Sequence, residues 1–175
     1  MPLNNSGFKK LIPNLITLIR IILAPIFFFM VLNHFNMASI FIFVLTIITD
    51  GLDGYIARKL DVTSPNGAYL DVTADFIWIS AGFLAFVLRG VYPSWLLNII
   101  VFMFLQFVIS SKFKIPIYDP IGKYYGLFLF ITIFISLLTS SSIINMLIVV
   151  LILLFTIASI TSRYSYVLKH RNLKQ

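Results

Sequence analysis

A chain of 175 residues that is 60% hydrophobic, with a mean hydropathy of +1.02, is too apolar for an ordinary water-soluble globule and reads as an integral membrane protein. The absence of cysteine excludes disulfides, thiolate nucleophiles and cysteine-based metal sites. The formal charge of +7 is spread over short segments between apolar runs, not grouped on a soluble module, so it points to membrane orientation and away from nucleic acid.

In chain order, residues 1–10 are polar and then basic, and read as a cytoplasmic, interfacial arm drawn to anionic lipid before the chain turns into the bilayer at Pro13. Six apolar spans follow, at 12–32, 38–58, 67–88, 94–111, 120–138 and 143–162, each long enough to cross a ~30 Å hydrocarbon core. The first is longer than a signal-peptide core and lacks a convincing small-x-small cleavage site, so it is expected to be retained. In this layout Lys9, Lys10, Arg58, Lys59, Lys112, Lys114, Lys123, Arg163, Lys169, Arg171 and Lys174 share one side and Arg89 falls opposite. By the positive-inside rule both termini are then cytoplasmic. The predicted fold is an all-α, multi-pass protein of the cytoplasmic (inner) membrane with six transmembrane helices. Its predicted parts are the 1–10 arm, an 11–167 six-helix domain and a 168–175 basic cytoplasmic tail.

Four of the six acidic residues, Asp50, Asp53, Asp71 and Asp75, lie in or beside these apolar runs. A charged side chain at mid-bilayer costs roughly 2.5–3.5 kcal/mol on insertion scales, so four of them demand a compensating partner. Asp50 and Asp53 are three residues apart at the end of the second span, and Asp71 and Asp75 four apart at the start of the third. Each pair therefore presents both carboxylates from one helical face. The short connection with Ser64-Pro65-Asn66 as its turn signal makes the two helices antiparallel neighbours and brings the pairs together. Oxygen donors without nearby His or Cys suit hard cations, and four carboxylates suit two Mg²⁺ or Mn²⁺ ions of the kind used in phosphoryl transfer. Gly54, Ala57 and Gly67 leave room for a nucleotide or pyrophosphate against the backbone, and Arg58 can hold a phosphate or base edge.

The run Asp50-x2-Asp53-Gly54-x2-Ala57-Arg58-x8-Gly67-x3-Asp71-x3-Asp75 resembles the complete signature of the CDP-alcohol phosphotransferase family, with every fixed position filled. The resemblance implies an enzyme of phospholipid biosynthesis that transfers a phosphatidyl group from CDP-diacylglycerol to a hydrophilic alcohol and releases CMP. It further implies that Asp50, Asp53 and Asp71 bind the metals and pyrophosphate, and that Asp75 is the catalytic base and also touches the second ion. Gly54, Ala57, Arg58 and Gly67 would line the cytidine nucleotide, and the assembly would be a homodimer among membrane lipids. The opening Ile12-Pro13-Asn14-x2-Thr17-x2-Arg20 and the pair Gly122-Lys123 are similar to phosphatidylglycerophosphate synthases, which makes glycerol 3-phosphate the expected acceptor, ahead of inositol phosphate or serine. Those synthases typically carry proline after the third aspartate and lysine after the fourth, where this chain has Val72 and Phe76.

The remaining polar residues have plainer readings. Arg20 either snorkels to the inner interface or binds a phosphate, and Lys112, Lys114 and above all Lys123 are candidates for an acceptor's phosphate. Asn14 and Thr17 either satisfy helix-end donors or touch nucleotide or acceptor. Asp61 reads as a solvated loop residue, Asp119 as a turn or N-cap, His34 and His170 as surface residues, and Pro25 as a kink. A function of another class, a small cation transporter or channel using the aspartates, predicts mid-membrane charges or repeat symmetry that the sequence does not display.

Overall fold

The computed structural model describes residues 5–59, 65–110 and 122–172. Among these the regular structure is helical throughout: α1 (Asn5–Leu32), α2 (Asn36–Lys59), α3 (Pro65–Leu88), α4 (Trp95–Ser110), a 3-10 turn at Gly122–Tyr124, α5 (Tyr125–Leu138) and α6 (Ser142–Asn172). Four helices are long and apolar enough to cross a membrane, over Leu15–Leu32, Asn36–Ile56, Gly67–Leu88 and Ser142–Ser165, and the segments Trp95–Ile109 and Gly122–Leu138 are shorter and equally apolar. At 1.5 Å per residue the 16 residues of α4 reach about 24 Å, less than a ~30 Å hydrocarbon core. Apolar side chains such as Ile22, Phe41, Leu127, Ile143 and Leu154 point outward, as a lipid-facing surface requires.

The chain does not turn at Pro13. Helix α1 runs unbroken from Asn5 through Pro13 and Pro25, so the backbone of residues 5–10 is helical and continuous with the first span. A proline removes one backbone donor, a loss that apolar helices tolerate where neighbouring groups take up the freed carbonyl. Helix α6 likewise continues to Asn172, into the segment set apart as a tail.

Helix α1 packs most extensively on α2 and α3, while α5 joins α2, α3 and α6. Trp78 of α3 is the hub. It is fully buried, stacked on Phe27 of α1 at 4.3 Å and on Phe130 of α5 at 4.9 Å, with Phe43 of α2 against it at 5.5 Å. One turn further on, Gly82 lets the helices close up, because a Cβ there would stand 3.0 Å from the Phe27 ring and 3.2 Å from Ile133. Buried hydroxyls donate back into their own helices, Thr46 to Ile42, Thr132 to Leu129, Ser136 to Thr132 and Thr156 to Ile152. With those protons committed, the Tyr92 hydroxyl donates to Ser136 and that of Tyr125 donates to Thr156, pinning the α3–α4 turn to α5 and α5 to α6. Burial pushes the Tyr92 phenol above its ordinary range, which keeps that donor protonated.

Two turns at the end remote from the aspartates share one cap. His34 (φ +62°) and Gly90 (φ +72°) are left-handed. His34 N–H donates to Val31 and Phe35 N–H to Met30; Gly90 N–H donates to Val87 and Val91 N–H to Phe86. These paired bonds define a Schellman motif at the end of α1 and of α3. Arg89 donates to the Val31 carbonyl at 3.2 Å, so the arginine expected on the side opposite the other basic residues caps the C-terminal end of α1.

Candidate active site

Pro65 opens α3, where its fixed φ and missing donor are harmless, and one and a half turns later Asp71 begins the pair Asp71 and Asp75 on one helical face. Asp50 arrives from the end of α2, and one carboxylate oxygen from each of Asp50, Asp71 and Asp75 lies within 4.8 Å of the others. Among the described residues these three of the four expected carboxylates therefore converge. The side chains of Asp53, Ala57, Arg58 and Asn14 lie outside the described part of the structure, as do Lys112 and Lys114 entirely. Gly54 and Gly67 sit on α2 and α3, partly buried, beside the cluster's two arms.

Arg20 of α1 completes the cluster. Its side chain is fully buried, and Nη1 donates to Oδ1 of Asp71 at 2.9 Å and of Asp75 at 2.6 Å, while Nη2 donates to Oδ1 of Asp50 at 2.5 Å. The carboxylates themselves keep 50%, 41% and 32% of their surface for Asp50, Asp71 and Asp75. Arg20 thus does not snorkel to the interface; it is buried against the aspartates, a pairing the spacing of residues does not reveal. Thr17, three residues before it on α1, is buried as well.

Asp75 stands where two cavities meet. One, of about 280 Å³, is lined by Asp71, Asp75, Lys123, Ser159 and Arg163 with an aromatic wall of Phe76, Phe104 and Phe107. The other, of about 410 Å³, runs between α2, α3 and α5 past Phe43, Val44, Ile47, Phe130 and Phe134, and reaches Asp50 and Asp75. Gly126 and Leu127 border both. Lys123 lines the first cavity, its ammonium 4.6 Å above the Tyr124 ring. Arg163 is the cation that sequence reasoning counted only toward orientation. It is largely buried, lies 5.2 Å over Phe107 and donates to the Gln106 carbonyl at 3.4 Å. The signal available in the sequence was the spacing Ser159-x3-Arg163, which puts a hydroxyl and a guanidinium on one helical face. Val72 and Phe76, the two departures from the synthase pattern, both line this cavity, and Phe76 stacks on Phe104 of α4 at 3.9 Å.

An apolar helical bundle that gathers carboxylates at one end, between an oily cleft and a basic pocket, defines a membrane protein with an oxygen-donor site suited to a divalent cation. The family model of CDP-alcohol phosphatidyltransferase matches residues 10–160, and the chain belongs to that family. It is similar to a CDP-diacylglycerol–glycerol-3-phosphate 3-phosphatidyltransferase of Pseudomonas fluorescens, 42% identical over 79 residues, covering 43% of this chain and 40% of that one. A protein of the same name from Bacillus subtilis (strain 168) is 33% identical over 105 residues, 51% of this chain and 54% of the relative. A putative cardiolipin synthase of Mycobacterium tuberculosis is 36% identical over 85 residues, 48% and 41% respectively. The chain spans about half the length of the relatives it matches.

Proposed function

We propose that this protein is a metal-dependent phosphatidyltransferase of phospholipid biosynthesis, moving a phosphatidyl group from CDP-diacylglycerol to glycerol 3-phosphate with release of CMP. The observation that carries the reading is Asp75 at the meeting point of an apolar cleft and a pocket bearing Lys123 and Arg163. The cleft between α2 and α5 suits acyl chains and opens on Asp50, whereas the two cations suit the phosphate of a small acceptor. The names of the relatives support the same donor and acceptor.

The chemistry follows from the placement. The acceptor's hydroxyl oxygen bonds to the phosphorus that carries diacylglycerol, and the bond from that phosphorus to the oxygen of CMP breaks. Asp75 takes the hydroxyl proton, and CMP leaves with the electron pair. Asp50, Asp53, Asp71 and Asp75 would hold Mg²⁺ or Mn²⁺, two ions in this proposal, whose bound charge would stabilise the phosphate oxygens. The convergence of three hard oxygen donors fits that group. By the signature, Asp53, Gly54, Ala57, Arg58 and Gly67 would contact the donor, and Asn14 and Thr17 the nucleotide or the acceptor. Lys112 and Lys114 are assigned with Lys123 to the acceptor's phosphate on their sequence alone.

The proposal includes the 11–167 segment as a six-span domain between an N-terminal arm and a basic tail, both termini and the site on the cytoplasmic side of the inner membrane, and a homodimer. The aromatic wall of Phe76, Phe104 and Phe107 favours a second acceptor, a lipid-borne alcohol. The test is CMP release by purified protein in detergent with CDP-diacylglycerol and Mg²⁺ or Mn²⁺, offering glycerol 3-phosphate, inositol phosphate, serine and a phosphatidyl alcohol one at a time. Release with glycerol 3-phosphate alone supports the first reading, and release with the lipid alcohol alone the second. Bound donor with no release in any arm sinks both.

A further inference from the structure

Arg20 offers the cluster its positive charge in a form that a metal ion must contest. The guanidinium reaches one oxygen of each of three aspartates that come from two different helices, at 2.5 to 2.9 Å. Those are the side chains whose oxygens approach within 4.8 Å of one another, the spacing that makes them candidate ligands. Where a hard cation takes the Oδ1 atoms that the guanidinium holds, the two cannot use the same lone pairs at once, since the ion draws oxygens to about 2.0–2.1 Å. Its bound charge would also repel a guanidinium left beside it. Arg20 cannot withdraw into water, because its side chain has no exposed surface and α1 is held by its packing on α2 and α3. An anion arriving at the cluster is the partner that would take it over.

We propose that Arg20 is a resident counter-cation that exchanges with the divalent ions, so that metal binding and binding of the phosphate-bearing donor reinforce each other. In this role Arg20 is a positioning residue: it holds Asp50, Asp71 and Asp75 together, gives up their oxygens as an ion enters, and turns to the donor's phosphates. The two bindings are then coupled through one side chain, and each tightens the other by the same factor. The inference rests on the reading of the aspartates as metal ligands.

Both can be tested by Mn²⁺ titration of the purified protein, followed by electron paramagnetic resonance, with and without CDP. Asp71→Asn tests the ligand reading: it should weaken Mn²⁺ binding at least tenfold, and unchanged binding would sink that reading and the inference together. Arg20→Gln tests the exchange. It should bind Mn²⁺ at least fivefold more tightly than the unmodified protein in the absence of CDP, and the tightening that CDP confers should shrink. Weaker or equal Mn²⁺ binding by a folded Arg20→Gln protein, with Asp71→Asn behaving as expected, overturns the exchange alone. Should Arg20→Gln fail to fold, Arg20→Lys carries the test, since a single ammonium cannot fork to three carboxylates. Its Mn²⁺ affinity should rise and its CDP coupling shrink, and affinity and coupling both unchanged would overturn the proposal.

Discussion

Asp75 borders two cavities and has the Arg20 guanidinium 2.6 Å from one oxygen, so a change there touches chemistry more than architecture. If it accepts the acceptor's proton, Asp75→Asn should lower turnover by roughly 10²–10⁴-fold while CDP-diacylglycerol is still bound, as measured by CMP release beside donor binding. Turnover at the normal rate would remove Asp75 from that role. Arg163 makes a different prediction because it lines only the basic pocket. A charge-assisted hydrogen bond to a phosphate is worth about 1.5–3 kcal/mol, so Arg163→Gln should raise KM for glycerol 3-phosphate by about tenfold or more with kcat little changed. An equal loss in kcat would place Arg163 in the packing of α4 on α6 instead. The aspartates could be found in the sequence because a carboxylate in an apolar run has few innocent explanations. Arg163 was harder to single out despite its spacing from Ser159, since a cation at the end of a span is what membrane orientation alone predicts.

Among the helices, the apolar runs located the second, third and fourth most closely. The ends of the second and third spans lie within a few residues of α2 and α3, and α4 matches its span to within one residue at each end. The helix that carries the first span begins before it, because α1 continues through Pro13, which an apolar helix tolerates better than one in water. His34 shows the same limit at a turn. A histidine carries no sequence signal for a left-handed cap, yet φ +62° and the paired backbone bonds put it in the place glycine holds at Gly90. A non-glycine residue there costs about 1–2 kcal/mol, partly offset by glycine's larger unfolded entropy. His34→Gly should therefore stabilise the protein by about 0.5–1 kcal/mol, seen as a higher thermal midpoint in detergent. A lower midpoint would show that the exposed imidazole contributes more than its backbone costs.

For the whole molecule, the two ends of the bundle differ in kind. The aspartates, Arg20, Lys123 and Arg163 gather at one end, and the turns at His34, Gly90 and Ser140 lie at the other, with Arg89 joining α3 to α1 and a shared cleft joining the Gly90 and Ser140 turns. If the charged end is cytoplasmic, thiol labelling can report it directly, because the chain has no cysteine of its own. Ser140→Cys should react with a membrane-impermeant maleimide from outside intact cells, and Lys59→Cys only after permeabilisation. The reverse pattern would invert the proposed topology.

The sequence alone determined the helical class, the apolar runs, the carboxylate signature and the family it resembles. Those properties depend on local composition and on spacings of three and four residues, which a helix converts directly into shared faces. Only the tertiary structure decided that Arg20 lies against three aspartates 30 to 55 residues away, that Trp78 joins four helices, and that an oily cleft and a basic pocket meet at Asp75. Such contacts arise between faces of different helices, and no periodicity within one helix specifies which face of another it will meet.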